Sequence, residues 1–398
     1  MNNLEDIPNN PFTPHHPVTS DNFIGRQEDV IKILRYLPRV LNQGLPEHFF
    51  VTGNRGMGKT SFVRYVSEIA EDEYNMFPVY VNNEGTNTIL ELITKLCDKL
   101  FKEFKKTSWG RSFIEVFFNR IEGIKISEFG FKFRDHPEIA ENIKNNFIEF
   151  LVEICDNLDD DINGLFFIID DINGLSETPE FTNWYKGLFE TLEFYNEFVP
   201  ATFTLVTYPA KFDQLCEQNP SFSRMFNLID IGRLSDGEIK EFFINTFENS
   251  NIMIENEDFI DEMVYYSWGM PLVMQQIGDA IFWNIEGNII TDEIVYNGIR
   301  DAALELKNKP LKNILNNIKN PYYLNILFKL GEYKKFNFKK SEIASLLTDK
   351  EKNFLDSFID EMLLVNIFEI TDFENKEFKF SNIAYFVYFL ITSTFRQL

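Results

Sequence analysis

Through the N-terminal half of the chain, short apolar runs alternate with segments of helical period. His48–Thr52, Pro78–Asn83, Leu165–Ile172, Thr202–Tyr208 and Asn227–Leu234 are compact, mostly apolar and bounded by turn residues, and they read as strands. Between them, apolar positions recur every three or four residues. That spacing predicts helices over Arg26–Leu41, Lys59–Ala70, Ile89–Phe104, Glu138–Leu158 and Phe181–Asn196. Strands without polar alternation need cover on both faces. The repetition of strand and helix therefore predicts an α/β fold, a three-layer αβα domain around a five-stranded parallel sheet. One stretch departs from the pattern: Gly123–Arg134 alternates Ile124 and Ile126, then Phe129, Phe131 and Phe133, and predicts an inserted β-hairpin.

Past Leu234 the pattern is helical only, up to about Leu315. Ser235 and Glu238 have the spacing of a capping box, so a helix and a new, all-helical domain start there. Trp268-Gly269-Met270-Pro271 interrupts it, because Gly ends one helix and Pro suits the first turn of the next. From Tyr322 the order is helix, short helix (Lys340–Leu347), helix (Asp349–Leu364), then strands Ile367–Thr371 and Phe378–Phe380 around a polar turn. That order is the shape of a winged helix. The expected organisation is an extended Asn- and Pro-rich arm over 1–22, the α/β domain over 23–233 with its insertion at 123–134, the helical domain over 234–317 and the winged helix over 318–398.

Charge narrows the partners. The 398 residues hold 38 Lys and Arg against 62 Asp and Glu, a formal net charge of −24, so the molecule lacks the overall basic field that captures nucleic acid. The 43 phenylalanines are spread over every segment and read as core packing rather than base stacking. Cys97, Cys155 and Cys216 are far apart and form no CxxC, which fits a reducing cytoplasm and argues against a disulfide framework or a zinc site. No uncharged run reaches the length of a membrane span, and the polar N-terminus is no signal peptide.

The chemistry is concentrated after the first strand. Gly53, Asn54, Arg55, Gly56, Met57, Gly58, Lys59, Thr60 and Ser61 fit GxxxxGK[ST], a loop whose backbone N–H groups converge on phosphate oxygens at a helix N-terminus. A chance match in a chain of this length has odds on the order of one in a hundred. Lys59 is expected on the β- and γ-phosphates, and the Thr60 hydroxyl on Mg²⁺. The third strand ends in Asp170-Asp171. Asp170 is expected to share the Mg²⁺ shell with Thr60, and Asp171 to orient and deprotonate the attacking water. Asp159, Asp161, Asn163, Gly164 and Asp170 imitate part of a calcium loop. Phe167 on a ligand position, and a strand where a helix should follow, exclude it.

On these residues the chain resembles AAA+-type P-loop ATPases, near the origin-recognition and helicase-loader clade and the signal-transducing (STAND) ATPases. Phe23-Ile24-Gly25-Arg26 is similar to the family's box ahead of the P-loop, which implies that Gly25 and Arg26 lie against adenine. The resemblance further implies a γ-phosphate sensor at Thr207, with Tyr208 as the alternative. It makes Arg224 the arginine inserted into a neighbour's ATP site. Leu234-Ser235-Asp236 resembles the start of the lid, and Gly269-Met270-Pro271 its GxP signature, with Pro271 at the nucleotide. Two positions differ from the family: Asp171 stands where classical members have Glu, which implies slow hydrolysis, and Leu272 follows Pro271 where many loaders carry a sensor arginine.

The implied function is an ATP- and Mg²⁺-binding, slowly hydrolysing switch that controls homo-oligomer assembly or a protein partner. One alternative is an origin-recognition-like factor that holds DNA through the winged helix, using Lys334, Lys335, Lys339 and Lys340. The other is a nucleotide-binding scaffold without turnover. From Tyr322 onward, ten basic residues meet eleven acidic ones, and the candidate recognition helix from Asp349 is mixed to acidic, which disfavours DNA.

Overall fold

The computed structural model describes residues 9–120, 132–195, 197–307 and 310–395. They form two compact units. The first takes Thr19–Gly53 and Lys59–Ile231; the second takes the residues up to Val18, the loop Asn54–Gly58 and the chain from Gly232 on.

The first unit is built on strands β1 (Glu47–Thr52), β2 (Met76–Asn82), β3 (Gly164–Asp170), β4 (Ala201–Val206) and β5 (Asn227–Asp230). All pair in parallel, in the order β2-β3-β4-β1-β5. Every residue of β1, β3 and β4 is buried, as expected of inner strands covered on both faces. The register sets Asn82, Asp170, Val206 and Val51 in one row across the C-terminal ends of four strands. In parallel α/β sheets that edge is where ligands bind.

Helices fill the connections: Lys59–Tyr74 after β1, Ile89–Phe104 after β2 and Glu180–Tyr195 after β3. Two expected helices are broken. The segment read as Arg26–Leu41 forms Gln27–Leu34 and Leu37–Gln43, because Pro38 has no N–H to continue the ladder and the Tyr36 carbonyl starts a second helix. Glu138–Leu158 divides into Pro137–Asn145 and Phe147–Cys155 at Asn146, whose side-chain amide donates to the Asn142 carbonyl. Ser108–Arg120 is a helix absent from the sequence reading. The expected hairpin at 123–134 lies outside the described residues except for its end, where Phe133–Asp135 is a 3-10 turn. A large aromatic core, including Phe50, Phe104, Phe167, Phe181, Phe203 and Phe222, fills this unit.

In the second unit, the capping box at Ser235 is present. Its side chain accepts from the Glu238 N–H, and Glu238 accepts the Ser235 N–H at 2.7 Å, opening the helix Asp236–Asn249. Helices Asp258–Ser267, Pro271–Asn284 and Asp292–Lys307 follow. This part is not wholly helical: β6 (Met253–Ile254) and β7 (Ile289–Ile290) pair in parallel, strands too short to signal themselves in sequence. The N-terminal arm, expected as an extended segment, is anchored within this unit. The Phe12 side chain is buried against Phe242, Phe247 and Gly278, the Thr13 N–H donates to Gln275 Oε1 at 2.8 Å, and Asn10 Nδ2 donates to Asp279 at 2.7 Å.

The winged helix has helices Pro321–Tyr333, Lys340–Leu346, Asp349–Lys352 and Leu355–Leu364. Its sheet is formed by β8 (Asn337–Lys339), between the first two of these helices, with β9 (Phe368–Asp372) and β10 (Glu377–Phe380) after the last, in the order β8-β10-β9; helix Ile383–Phe395 ends it. Several of its lysines pair locally. Lys335 pairs with Glu342 at 2.6 Å, Lys339 with Glu377 at 2.9 Å, Lys340 with Asp356, and Lys379 with Glu369 at 3.1 Å. Lys334 sits over the Tyr265 ring.

Candidate functional site

The first residues of the helix Lys59–Tyr74 reach the row at the strand ends. Thr60 Oγ1 donates to Asp170 Oδ2 at 2.7 Å, so the start of the helix after β1 and the acid that ends β3 meet as the motif reading expects. Asp170 is almost fully buried. The same oxygen accepts the Tyr80 hydroxyl at 2.8 Å, a contact not visible in sequence. Burial, reinforced by the charge of Asp170, holds the Tyr80 phenol above its usual range, so it stays protonated and donating. Lys59 Nζ donates to the Gly53 carbonyl at 2.7 Å and lies 4.5 Å over the ring of Tyr208, the second residue after β4, at the N-cap position of the helix Pro209–Gln218.

Asp171 leaves the strand in the left-handed region at φ +65°, a conformation that Asp tolerates better than most residues. The turn ends β3 at Asp170, short of the expected Ile172, and both following N–H groups donate to the Val206 carbonyl. Burial raises the Asp171 carboxyl above the ordinary carboxylate range. The Asn173 hydrogen bond and the Lys59 charge oppose that rise, and the charges of Asp170 and Glu84 add to it. A raised carboxyl beside a lysine and a second carboxylate suits a proton acceptor.

Thr207 is buried, with its hydroxyl on Asn173 Oδ1, so among the two sensor candidates Tyr208 is the one against Lys59. Gly25 and Arg26 both take positive φ, +72° and +62°, and Phe23 stacks on Tyr65 of the P-loop helix at 4.2 Å between ring centroids. Arg224 is exposed on the 3-10 turn Phe222–Met225 just before β5, a placement open to a neighbouring chain. Ser61 lies in the first turn of the P-loop helix.

Within the second unit, the loop tip meets the start of the helix Pro271–Asn284. The Leu272 N–H donates to the Gly56 carbonyl at 3.2 Å, and a Cβ on Gly56 would lie 2.3 Å from Met270 Cε, which explains glycine at this φ +84° position. Gly58, at φ +78°, has Pro271 Cγ at 3.8 Å from the place of a Cβ. Met57 is buried, whereas Asn54 and Arg55 are exposed. The helix start uses an acceptor of the loop, whereas phosphate takes donors.

A cation fits the donor set. Among the described residues no three His, Cys, Asp or Glu side chains gather into an all-protein metal site. Mg²⁺ does not need one, since it is held by one or two protein oxygens together with phosphates and waters. Thr60 and Asp170 would supply those oxygens, and the cation would neutralise charge on the phosphates. Among the described residues no helix is long and apolar enough to cross a membrane.

Residues 22–182 match the AAA ATPase domain family. Over nearly the whole chain the fold is similar to that of the Walker-type ATPase of Pyrococcus abyssi, at 13% identity and a TM-score of 0.57, covering 93% of this chain and 96% of that one. It is likewise similar to the ORC2 protein of Aeropyrum pernix solved as ADPNP–ADP complexes, at 11% identity and a TM-score of 0.55, covering 94% and 95%. No curated protein matches the sequence. At these identities the likeness is one of fold. The family match over residues 22–182 and the fold likeness over nearly the whole chain agree on an AAA+-type P-loop ATPase architecture, with a fold similar to that of the ORC2 protein.

Proposed function

We propose that this chain binds ATP with Mg²⁺, hydrolyses it slowly and uses the bound nucleotide as a switch for assembly or for a protein partner. The observation that carries this is the 2.7 Å hydrogen bond between Thr60 and Asp170, which brings a P-loop hydroxyl and a β3 carboxylate to one point. Lys59 binds phosphate, Asp171 serves as base and Tyr208 or Thr207 senses the γ-phosphate. The loop and lid contact through Gly56 and Leu272 supports a lid that feels what the loop holds. Aspartate in place of glutamate supports slow turnover, because its carboxylate reaches one methylene less far.

Exposed Arg224 supports completion of one protomer's site by another. A protein partner is favoured over DNA because Lys335, Lys339 and Lys340 each pair with a carboxylate. The test is ATP binding by wild type and Lys59→Ala: loss of binding in the variant is expected, and binding unchanged by the substitution overturns the reading. Light scattering with ATP, ADP and no nucleotide tests assembly. A mass that rises only with ATP and stays monomeric in Arg224→Ala is expected.

A further inference from the structure

Asp170 makes two hydrogen bonds through one oxygen, and their donors arrive from different elements. Thr60 comes from the P-loop helix. Tyr80 comes from β2, where it pairs with Ile168 two residues before Asp170, so the pleat directs both side chains to one face of the sheet. One helical turn beyond Thr60, the Arg64 guanidinium lies over the Tyr80 ring, its Cζ 4.5 Å from the centroid. Thr60 and Arg64 are thus i and i+4 on the same helix face. One grips the carboxylate directly and the other holds the tyrosine that grips it.

We infer that Tyr80, held by Arg64, is a positioning residue that fixes the Asp170 carboxylate for a P-loop-bound divalent cation. The inference rests on the ATP·Mg²⁺ reading above and adds a residue from outside both phosphate motifs. A carboxylate at a strand end rotates about χ2 unless a donor holds one oxygen. Thr60 has a second duty, since its oxygen is the other protein contribution to the cation. Tyr80 has none, so its hydrogen bond keeps Asp170 in place whether Thr60 faces the carboxylate or the cation. Outer partners of this kind typically matter 10- to 100-fold in metal affinity.

The experiment is a titration of Mg²⁺ into protein with a fluorescent ATP analogue, for wild type, Tyr80→Phe and Arg64→Gln. A parallel measurement in EDTA and a melting curve accompany each. Tyr80→Phe keeps the ring and removes the hydroxyl. It is expected to raise the Mg²⁺ concentration at half-maximal binding roughly 10-fold while leaving affinity in EDTA and the melting temperature unchanged. Arg64→Gln is expected to raise it by a smaller factor. A Tyr80→Phe curve superimposed on a wild-type curve that does depend on Mg²⁺ overturns the inference alone, and so does an equal loss of affinity with and without Mg²⁺. A wild type that binds no nucleotide overturns the reading beneath it as well.

Discussion

The hydroxyl of Thr207 donates to Asn173 Oδ1 at 2.5 Å, and the amide nitrogen of the same asparagine donates to Asp171. The end of β4 and the turn after β3 are thereby joined through one side chain. The carboxylate proposed as base is held at a fixed distance from the candidate sensor.

The first expectation concerns this link. Asp171→Asn should lower single-turnover phosphate release by a factor on the order of 10² or more, the range for loss of a general base. Asn173→Ala removes the side-chain link to Thr207 but keeps the backbone N–H on the carboxylate, and should lower release by up to roughly 10-fold. Affinity for a non-hydrolysable ATP analogue should be unchanged in both. Phosphate release from Asp171→Asn equal to wild type at background would favour the scaffold without turnover.

His48 provides a pH test remote from the phosphates. It is buried among Phe189 and Phe203, with Nδ1 at 2.9 Å from the Tyr185 hydroxyl, and burial lowers its pKa to about 3. The folded chain keeps His48 neutral, whereas an unfolded histidine protonates near pH 6.5. Between those values the unfolded state binds the extra proton. Stability therefore falls as pH drops below about 6.5, by up to about 1.4 kcal/mol per unit, and the loss levels off near pH 3. His48→Gln can still meet Tyr185 but does not titrate. Between about pH 7 and pH 5.5, denaturant unfolding should show wild type losing about 1 kcal/mol more than the variant.

The N-terminal plug is the third case. Phe12→Ala should cost about 3 kcal/mol, in the range for a buried Phe, and lower the melting temperature of the second unit by roughly 6–10 °C. A Cβ at Gly278 would lie 2.1 Å from the Phe12 ring, so Gly278→Ala should also destabilise. In the Phe12→Ala background that penalty should shrink, because the obstructing ring is gone. Additive effects in the double-mutant cycle would show that the two positions do not press on one another.

The phosphate loop and Asp170 were legible because each is local: a nine-residue run, and an acid closing an apolar strand. The sheet was legible because inner parallel strands need uninterrupted apolar residues. Tyr80 and Asn173 were hidden because their roles depend on register and on turns that bring separate segments together; a tyrosine in an apolar strand looks like packing. Strand ends were overextended where apolar residues continue past the last ladder bond, as at Ile172 beyond left-handed Asp171. The break at Asn146 was missed because its neighbours keep the helical period of buried positions. The arm reads only as extended because Phe12 is a lone aromatic among polar residues, and its socket lies more than two hundred residues away in Phe242, Phe247 and Gly278.

The paired lysines of the winged helix bear on the kinetics of recognition. Cations cancelled by near neighbours project little potential beyond a Debye length, about 8 Å at physiological ionic strength. A partner meeting that surface would gain little steering from these lysines themselves, so any electrostatic contribution to its on-rate would come from the acidic remainder of the molecule. Selectivity on that face then comes from how long a fitting shape stays.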